Sequence, residues 1–272
     1  MDFDTHYTKE QETFRVVVRG WLLENFPGAM DIPGDGRPLE AETQKRIKTF
    51  RRKLGEIGWL APSWPKEIGG GGLSPALEVV LREELGRLKL PSIGDKGLWI
   101  NMMLVWGSEE QKRRWVVPAV RGEIITWQTF GEPVAGSDIA GIQTKAQAHE
   151  GDYIIDGVKA FVTGRFDPDY LLTLAVTDNV RPRRLNLGVF MVDAKSPGVT
   201  IKTQKLLMGS ERSIYLDNVL VPNDCLIGGL YQGYEIVQTI LQQERGELIF
   251  RLTEQGTIES VQRYLKEERG LS

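Results

Sequence analysis

The chain has 272 residues, of which 34 are Lys or Arg and 37 are Asp or Glu, so its formal net charge is −3. A near-neutral chain of this length predicts one large or two modest domains, and it lacks the basic excess typical of nucleic-acid-binding proteins. With one cysteine and two histidines, the composition excludes an intrachain disulfide and a histidine zinc triad, and we expect no metal site.

Two further features concern the compartment. No stretch of the sequence is long and apolar enough to predict a membrane span. The N-terminus, Met1 to Asp4, is acidic and no apolar run follows it, which argues against a signal peptide. Low cysteine usage fits a reducing compartment, so we expect a cytoplasmic protein.

Helical patterns occupy the first part of the chain. Apolar residues recur at three- and four-residue spacings from Thr8 to Phe26 and again from Glu40 to Trp59, which predicts two amphipathic helices. Ser74 followed by Pro75 predicts the start of a third helix, because serine caps helix N-termini and proline fits the first helical position. Together with the next two helices, these predict a helical domain over residues 1–124.

The fourth apolar stretch of this helical part runs from Leu98 to Trp106. Ser108 and Gln111 form a capping box that opens a short helix, and Pro118 should disturb that helix near its end. Between the third helix and its predecessor lie four glycines, Gly69 to Gly72. This run lacks the Gly-Lys-Ser/Thr of a phosphate loop, so it favours a flexible turn over a phosphate cradle.

After Ile124 the pattern changes to short β-rich segments separated by turn signals such as Asp156-Gly157 and Pro197-Gly198. Several short strands at this spacing predict a small antiparallel sandwich or barrel over residues 125–228. The predicted strands are Gln143 to Ala148, Tyr153 to Ile155, Lys159 to Val162, Tyr170 to Val176, Leu187 to Val192, Val199 to Lys205 and Ser213 to Val219.

A helical pattern returns from Leu230 to Tyr264, within a third part that covers residues 229–272. Its apolar stripe, which includes Val237, Ile240 and Leu252, would be exposed unless more chain or a partner covered it. We therefore predict an α+β protein, with a helical domain, a β domain and the start of a second helical element, that forms an oligomer or binds a partner chain.

The stretch from Trp127 to Asp138 joins the helical and β-rich parts. Gly136 and Ser137 offer unobstructed backbone N–H groups and a hydroxyl, which suit a phosphate or a ring oxygen. The alternative is a rigid interdomain loop with an Asx-type turn at Asp138. The spacing alone leaves both interpretations open.

Five motifs, in order along almost the whole chain, together resemble the acyl-CoA dehydrogenase family. They are Trp64 to Gly70, Gly107 to Trp115, Gly131 to Asp138, Asp156 to Gly164 and Leu216 to Pro222. The resemblance implies a helical N-terminal domain, a middle β domain and a C-terminal four-helix domain. This chain would contain only the first helix or helices of that bundle.

The resemblance also implies FAD between the β domain and the C-terminal helices. Phe130 and Gly131 would approach the flavin ring, and Gln128 would contact it. Gly136 and Ser137 would meet the pyrophosphate, with Ser137 also near the acyl-CoA. Gly131 stands where the family usually has Thr or Ser, so one hydroxyl hydrogen bond to the flavin would be missing.

A second implied flavin contact comes from the strand that contains Phe161, Val162 and Thr163. These residues match the family's Trp-Ile/Val-Thr/Ser strand beside the flavin. Phe161 replaces the usual Trp, which keeps an aromatic face but loses the indole N–H donor.

The candidate catalytic base is Glu244, which is followed by Arg245. On a helix, Glu244 falls on the same side as Val237, Ile240 and other apolar residues, where a carboxylate is costly unless it is paired or functional. A solvated residue, or a pair with Arg251, is the alternative. The resemblance to the isovaleryl-CoA and long-chain enzymes implies that Glu244 removes the α-proton. Arg245 would orient the site or bind the thioester side, and its alternative is a surface ion pair.

The implied function is FAD-dependent α,β-dehydrogenation of an acyl-CoA in fatty acid or lipid metabolism, with electron-transfer flavoprotein as electron acceptor. Family members run well past residue 272, so the chain could be a fragment, a subunit of a heteromer or a degenerate relative. The alternative function is a non-catalytic partner subunit. Acyl-CoA oxidases and flavin monooxygenases of the same fold also remain open.

Overall fold

The computed structural model describes residues 6–28, 30, 39–88, 97–136, 138–164, 166–206 and 210–251, with side chains of the last helix described up to residue 242. Over these residues the chain forms helices first, then an eight-stranded sheet and then a final helix. This order confirms the predicted α+β fold.

Capping residues start two of the N-terminal helices where the sequence predicted them. The Ser74 and Ser108 hydroxyls accept hydrogen bonds from the backbone N–H groups three residues later. Before Pro118 the helix widens into a π-helical turn, because proline has no N–H to donate to the preceding turn. The helices are α1 (Lys9–Asn25), α2 (Ala41–Glu56), α3 (Pro75–Gly86), α4 (Leu98–Trp106), α5 (Glu109–Gln111) and α6 (Val117–Val120), with the π-helical turn at Lys112–Val116 between α5 and α6.

The four-glycine run is a tightly packed turn rather than an open, flexible one. A Cβ at Gly70 would lie 2.4 Å from the Trp64 carbonyl oxygen, and one at Gly71 would lie 2.8 Å from the Pro62 carbonyl oxygen. The N–H groups of all four glycines donate to nearby backbone carbonyls. Since these donors are already used, the run does not form a phosphate cradle.

Side chains of the helical part bind the backbone just before β1 and the backbone around the start of β8. The Gln111 Nε2 donates to the carbonyl oxygens of Asp224 and Leu226, each at 2.8 Å. On α2, the buried Arg51 donates from Nη1 to the Ile124 carbonyl oxygen at 2.9 Å. The helical part therefore fixes the position where the first strand begins.

The strands form one sheet in the order β6-β7-β3-β2-β4-β5-β8, with β1 paired to β4. The pairing of β1 with β4 is parallel, in the register Thr126 with Tyr170. Strand β2 also pairs with β4 in parallel, and the other five described pairings are antiparallel, so the sheet is mainly antiparallel, as predicted. The strands are β1 (Thr126–Thr129), β2 (Lys145–His149), β3 (Asp152–Val162), β4 (Tyr170–Val176), β5 (Leu187–Asp193), β6 (Val199–Lys205), β7 (Ser210–Val221) and β8 (Leu226–Ile227).

Strand β3 is continuous where the sequence predicted two strands separated by a turn at Asp156-Gly157. The register against β7 shifts between Ile155 and Gly157, and again between Lys159 and Val162. At the first shift Gly157 has a φ of 157°, and a Cβ there would lie 2.4 Å from the Thr144 Oγ1. The glycine thus permits a β-bulge and a close neighbour instead of a chain reversal.

The last helix, α7 (Gly233–Arg251), packs on α4 and β5. Ile236, Val237 and Ile240 are fully buried, and the Trp106 indole N–H donates to the Thr239 hydroxyl at 3.1 Å. This first part of the apolar stripe is thus covered by the chain itself. Leu248 and Leu252, which belong to the same predicted stripe, lie outside the described side chains. Among the described helices, none has the length and apolar character to cross a bilayer.

Candidate active site

A tight reverse turn follows strand β1. The Glu132 N–H donates to the Ala135 carbonyl at 2.9 Å, and the Ala135 N–H donates to the Glu132 carbonyl at 3.1 Å. Pro133 and Val134 form the exposed tip of this turn. The turn directs the next residue, Gly136, to the surface.

This turn lies against the end of strand β3. The Ala160 N–H donates to the Gly131 carbonyl oxygen at 2.9 Å. A Cβ at residue 131 would lie 3.0 Å from the Ala160 carbonyl oxygen and 3.5 Å from the Phe161 Cδ2. A side chain at residue 131 would therefore have to push the turn away from β3 by a few tenths of an ångström, and glycine allows the close approach.

Phe161 has two unusual properties. Its φ is 60°, a left-handed conformation that bulky side chains rarely adopt, and its residue is 57% exposed. It lies at the second register shift of β3, where the strand is bulged. An exposed aromatic ring held in a strained backbone is a candidate for ligand contact, because strain of this kind clusters at binding sites.

The neighbours of Phe161 divide between the core and the surface. The Val162 side chain is buried in the core, whereas Thr163 is exposed. Gln128 and Phe130 are half-buried, and Phe130 packs against the core. The structure thus places Gly131, Phe161 and Thr163 around the C-terminal end of strand β3, with the Val162 side chain directed into the protein.

Gly136 is exposed, and a Cβ at this residue would meet nothing within 4 Å. Its backbone N–H makes no hydrogen bond with another described residue. Two residues later, the Asp138 carboxylate accepts from the Ala140 N–H at 3.3 Å, which is the predicted Asx-type turn. Ser137, predicted to bind the pyrophosphate and substrate, lies outside the described residues.

Sequence reasoning missed a buried ion pair behind the turn. The Lys159 Nζ lies 2.8 Å from the Glu132 Oε1 and donates to the Leu174 carbonyl oxygen at 2.6 Å. Lys159 is fully buried and Glu132 is 2% exposed. A lysine inside the apolar pattern of a predicted strand was the available signal, because lysine is almost never fully buried unless it is paired.

The Glu132 carboxylate is also bound by backbone. Its Oε2 accepts from the Gln143 N–H at 2.6 Å and its Oε1 from the Thr144 N–H at 3.0 Å. Burial alone raises the pKa of Glu132, but the charge of Lys159 and these hydrogen bonds outweigh burial and lower that pKa. Burial lowers the pKa of Lys159 to about 8, although Glu132 favours its charged form.

The two residues of the predicted catalytic pair, Glu244 and Arg245, lie within the described backbone of α7. Their side chains lie outside the described part of the chain. Helix α7 is anchored through Val237 and Ile240, which precede them by one to two turns. The roles of Glu244 and Arg245 therefore stay predictions.

Comparison with known proteins gave two family matches and many relatives. The model of the acyl-CoA dehydrogenase N-terminal domain matches residues 8–123, and that of the acyl-CoA dehydrogenase middle domain matches residues 128–219. The acyl-CoA dehydrogenase FadE34 of Mycobacterium tuberculosis is 34% identical over 71% of this chain and 27% of its own length. The acyl-CoA dehydrogenase IpdE1 of the same organism is 29% identical over 88% of this chain and 64% of its own length.

A solved structure, the Tcur3481-Tcur3483 steroid ACAD, superposes with a TM-score of 0.71 at 26% identity, over 90% of this chain and 63% of that one. This chain thus spans less than two thirds of the length of these relatives. The two family matches together cover most of its residues, in the order of the helical part and the sheet. The chain belongs to the acyl-CoA dehydrogenase family.

Proposed function

We propose that this chain forms the flavin-facing part of an FAD-dependent acyl-CoA dehydrogenase. The observation that carries the proposal is the exposed ring of Phe161, held at a φ of 60° beside the turn of Gly131. A flat, exposed aromatic surface suits an isoalloxazine ring, which can stack against it. Membership of the acyl-CoA dehydrogenase family makes FAD the expected ligand of the site formed by Phe161 and this turn.

The described residues fit FAD at both ends of the proposed contact. Phe161 offers its ring to the flavin, and Thr163 and Gln128 offer polar groups beside it. The exposed Gly136, whose N–H is free of other described residues, offers a donor to the pyrophosphate, with Ser137 next to it. When bound, FAD would accept a hydride from the β-carbon of the acyl group.

In this proposal Glu244 accepts the α-proton of the acyl-CoA. Donors around the thioester oxygen would stabilise the developing enolate and make that proton easier to remove. The place of Glu244 on α7, among residues of the apolar stripe, would desolvate its carboxylate and raise the pKa of Glu244 toward the working range. Arg245 would orient the site or bind on the thioester side.

The proposed partners are an acyl-CoA, a second chain and electron-transfer flavoprotein as electron acceptor. The steroid ACAD of similar fold carries a name that joins Tcur3481 with Tcur3483, which supports testing this chain within a complex. That name also supports including ring-linked acyl chains among the substrates tested. We propose a homo- or hetero-oligomer that works in the cytoplasm.

A non-catalytic partner subunit is the second candidate function. It is favoured by Gly131, because this residue lacks the hydroxyl that the family usually offers to the flavin. The two candidates differ in flavin content. Purification of the chain, with any partner chain that accompanies it, should give a yellow protein with a flavin absorbance band if the first candidate is correct. A colourless complex that does not take up added FAD would favour the second.

Replacement of Glu244 by Gln tests the base directly. We expect Glu244→Gln to retain FAD and acyl-CoA binding while flavin reduction by an acyl-CoA panel slows by about 10² to 10⁴. Stopped-flow bleaching of the flavin band measures this rate. Glu235→Gln, on the exposed side of the same helix, is the control and should reduce at the original rate. If Glu244→Gln also reduces at the original rate, the base lies elsewhere.

A further inference from the structure

We propose that the buried Glu132–Lys159 ion pair positions the turn of residues 131–136 so that it can bind flavin, an inference that rests on the proposed function. Both residues lie behind the candidate site rather than in it. Glu132 directly follows Gly131 in the turn, and Lys159 precedes Phe161 by two residues on β3. The pair therefore joins the two segments whose relative position defines the site.

The Glu132 carboxylate binds two separate segments directly and reaches a third through Lys159. It accepts from the backbone of Gln143 and Thr144 before β2, and it pairs with Lys159 on β3. Through the second hydrogen bond of Lys159, to the Leu174 carbonyl, the contact extends to β4. The side chain of one turn residue is thus attached to three neighbouring parts of the sheet.

Direct contact between the turn and β3 is sparse by comparison. One backbone hydrogen bond, from the Ala160 N–H to the Gly131 carbonyl, joins them at the site. Gly131 contributes no side chain that could pack there. Among the described residues, the ion pair is therefore the second polar attachment between the turn and β3, and it joins them behind the site.

Replacement of Lys159 by an uncharged residue would leave the buried Glu132 carboxylate without its counter-ion. The carboxylate would keep its two backbone donors, but a buried charge without its partner is strongly unfavourable. Because Glu132 is part of a surface turn, its carboxylate can reach water if the turn lifts from β3. Displacement of a positioned group by about 1 Å can reduce a rate by about 100-fold.

The experiment compares Lys159→Met, Glu132→Gln and the double variant in the full chain, together with any partner chain that purifies with it. Lys112→Met is the matched control, because the Lys112 Nζ lies at the same 2.8 Å from Glu109 but in an exposed pair within the helical part. Three measurements are made: FAD dissociation constant, visible circular dichroism per bound flavin, and hydrogen exchange of the turn amides without FAD.

We expect Lys159→Met and Glu132→Gln each to weaken FAD binding at least about tenfold. Amide exchange should accelerate at Ala160, whose N–H joins β3 to the turn, as well as in the turn itself. The circular dichroism of the flavin that still binds should change. Lys112→Met should leave all three measurements unchanged. If Lys159→Met does not fold, the double variant, which contains no unpaired buried charge, should fold and still show the loosened turn and weaker binding.

Two outcomes separate this inference from the proposed function. A wild-type protein that binds no FAD overturns the proposed function, while amide exchange in the turn still tests the pair. Wild-type affinity, flavin spectrum and turn exchange in the folded variants would overturn the positioning role. So would a variant that loses only thermal stability while each bound flavin keeps its wild-type spectrum and affinity.

Discussion

At the scale of single residues, Phe161 combines a strained backbone with an exposed aromatic side chain. A left-handed backbone at a bulky residue costs about 1–3 kcal/mol, and the surrounding strand must maintain it. The residue is 57% exposed, so packing of its side chain returns little of that free energy. The conformation is therefore explained by a ligand more readily than by the stability of the chain alone.

Replacement of Phe161 by Asn should separate these two effects. Asn adopts the left-handed conformation more easily, so we expect Phe161→Asn to raise the free energy of unfolding of the FAD-free protein by about 1 kcal/mol. FAD binding should weaken, because the stacking surface is lost. Chemical denaturation and flavin titration measure the two quantities.

The control for Phe161→Asn is Glu150→Asn. Glu150 is exposed and has a φ of 51° in the turn between β2 and β3. This control should gain stability similarly and leave FAD binding unchanged. A Phe161→Asn variant that is less stable than the wild type without flavin would contradict the assignment of strain.

Sequence reasoning singled out Phe161 and Gly131 as candidate site residues, but it missed the buried ion pair behind them. Phe161 and Gly131 departed from a family pattern and so were visible in the sequence. The attachment of Glu132 to Lys159 spans 27 residues and depends on how the turn meets β3. No local periodicity contains that information, so only the three-dimensional structure reveals the pair.

At the scale of elements, the helices were predicted more accurately than the sheet. Caps at Ser74 and Ser108 and a 3.6-residue apolar period are local signals, and the helix bounds followed them. Strand β1 was not predicted as a separate strand, and β3 was divided at Asp156-Gly157. The partner of β1 is β4 and one partner of β3 is β7, and both lie far away in the sequence. In β3, pairing with β7 keeps the strand continuous despite the local turn signal.

Two glycines inside helices, Gly20 in α1 and Gly55 in α2, differ in how closely the neighbouring backbone approaches them. A Cβ at Gly55 in α2 would lie 2.3 Å from the Arg121 carbonyl oxygen, whereas one at Gly20 in α1 would meet nothing within 4 Å. We expect Gly20→Ala to stabilise the protein by about 0.5–1 kcal/mol through helix propensity. Gly55→Ala should instead destabilise it by about 1–3 kcal/mol, because α2 must move away from Arg121.

Thermal or denaturant unfolding of Gly20→Ala and Gly55→Ala measures this difference with the same chemical change in both helices. Equal stabilisation by both substitutions would show that α2 does not pack as closely on the turn at Arg121 as the structure places it.

At the scale of the whole molecule, the first turns of the final helix, α7, are part of the chain's own core. Ile236, Val237 and Ile240 pack against α4 and β5, so this part of the stripe requires no partner. The sequence predicted a stripe in need of cover, and the helical part and the sheet provide that cover for the described residues. Periodicity identified the apolar face but could not identify what lies against it.

Assembly is the remaining whole-molecule prediction. Since FAD would lie between the sheet and further helices, we expect the flavin-binding form to be an oligomer or a complex. Light scattering with absorbance detection should therefore assign the flavin band to a particle heavier than one chain. A monodisperse single chain that binds FAD stoichiometrically would contradict this prediction.

The parallel pairing of β1 with β4 also determines when the site can form during synthesis. Tyr170, the partner of Thr126, lies 170 − 126 = 44 residues later in the chain. A nascent chain that has not reached β4 already contains the turn and β3, but it lacks the strand that pairs with β1 and the Leu174 carbonyl that accepts from Lys159. Because long loops must close before such contacts form, the site is completed late, as a product of the finished sheet rather than a nucleus for it.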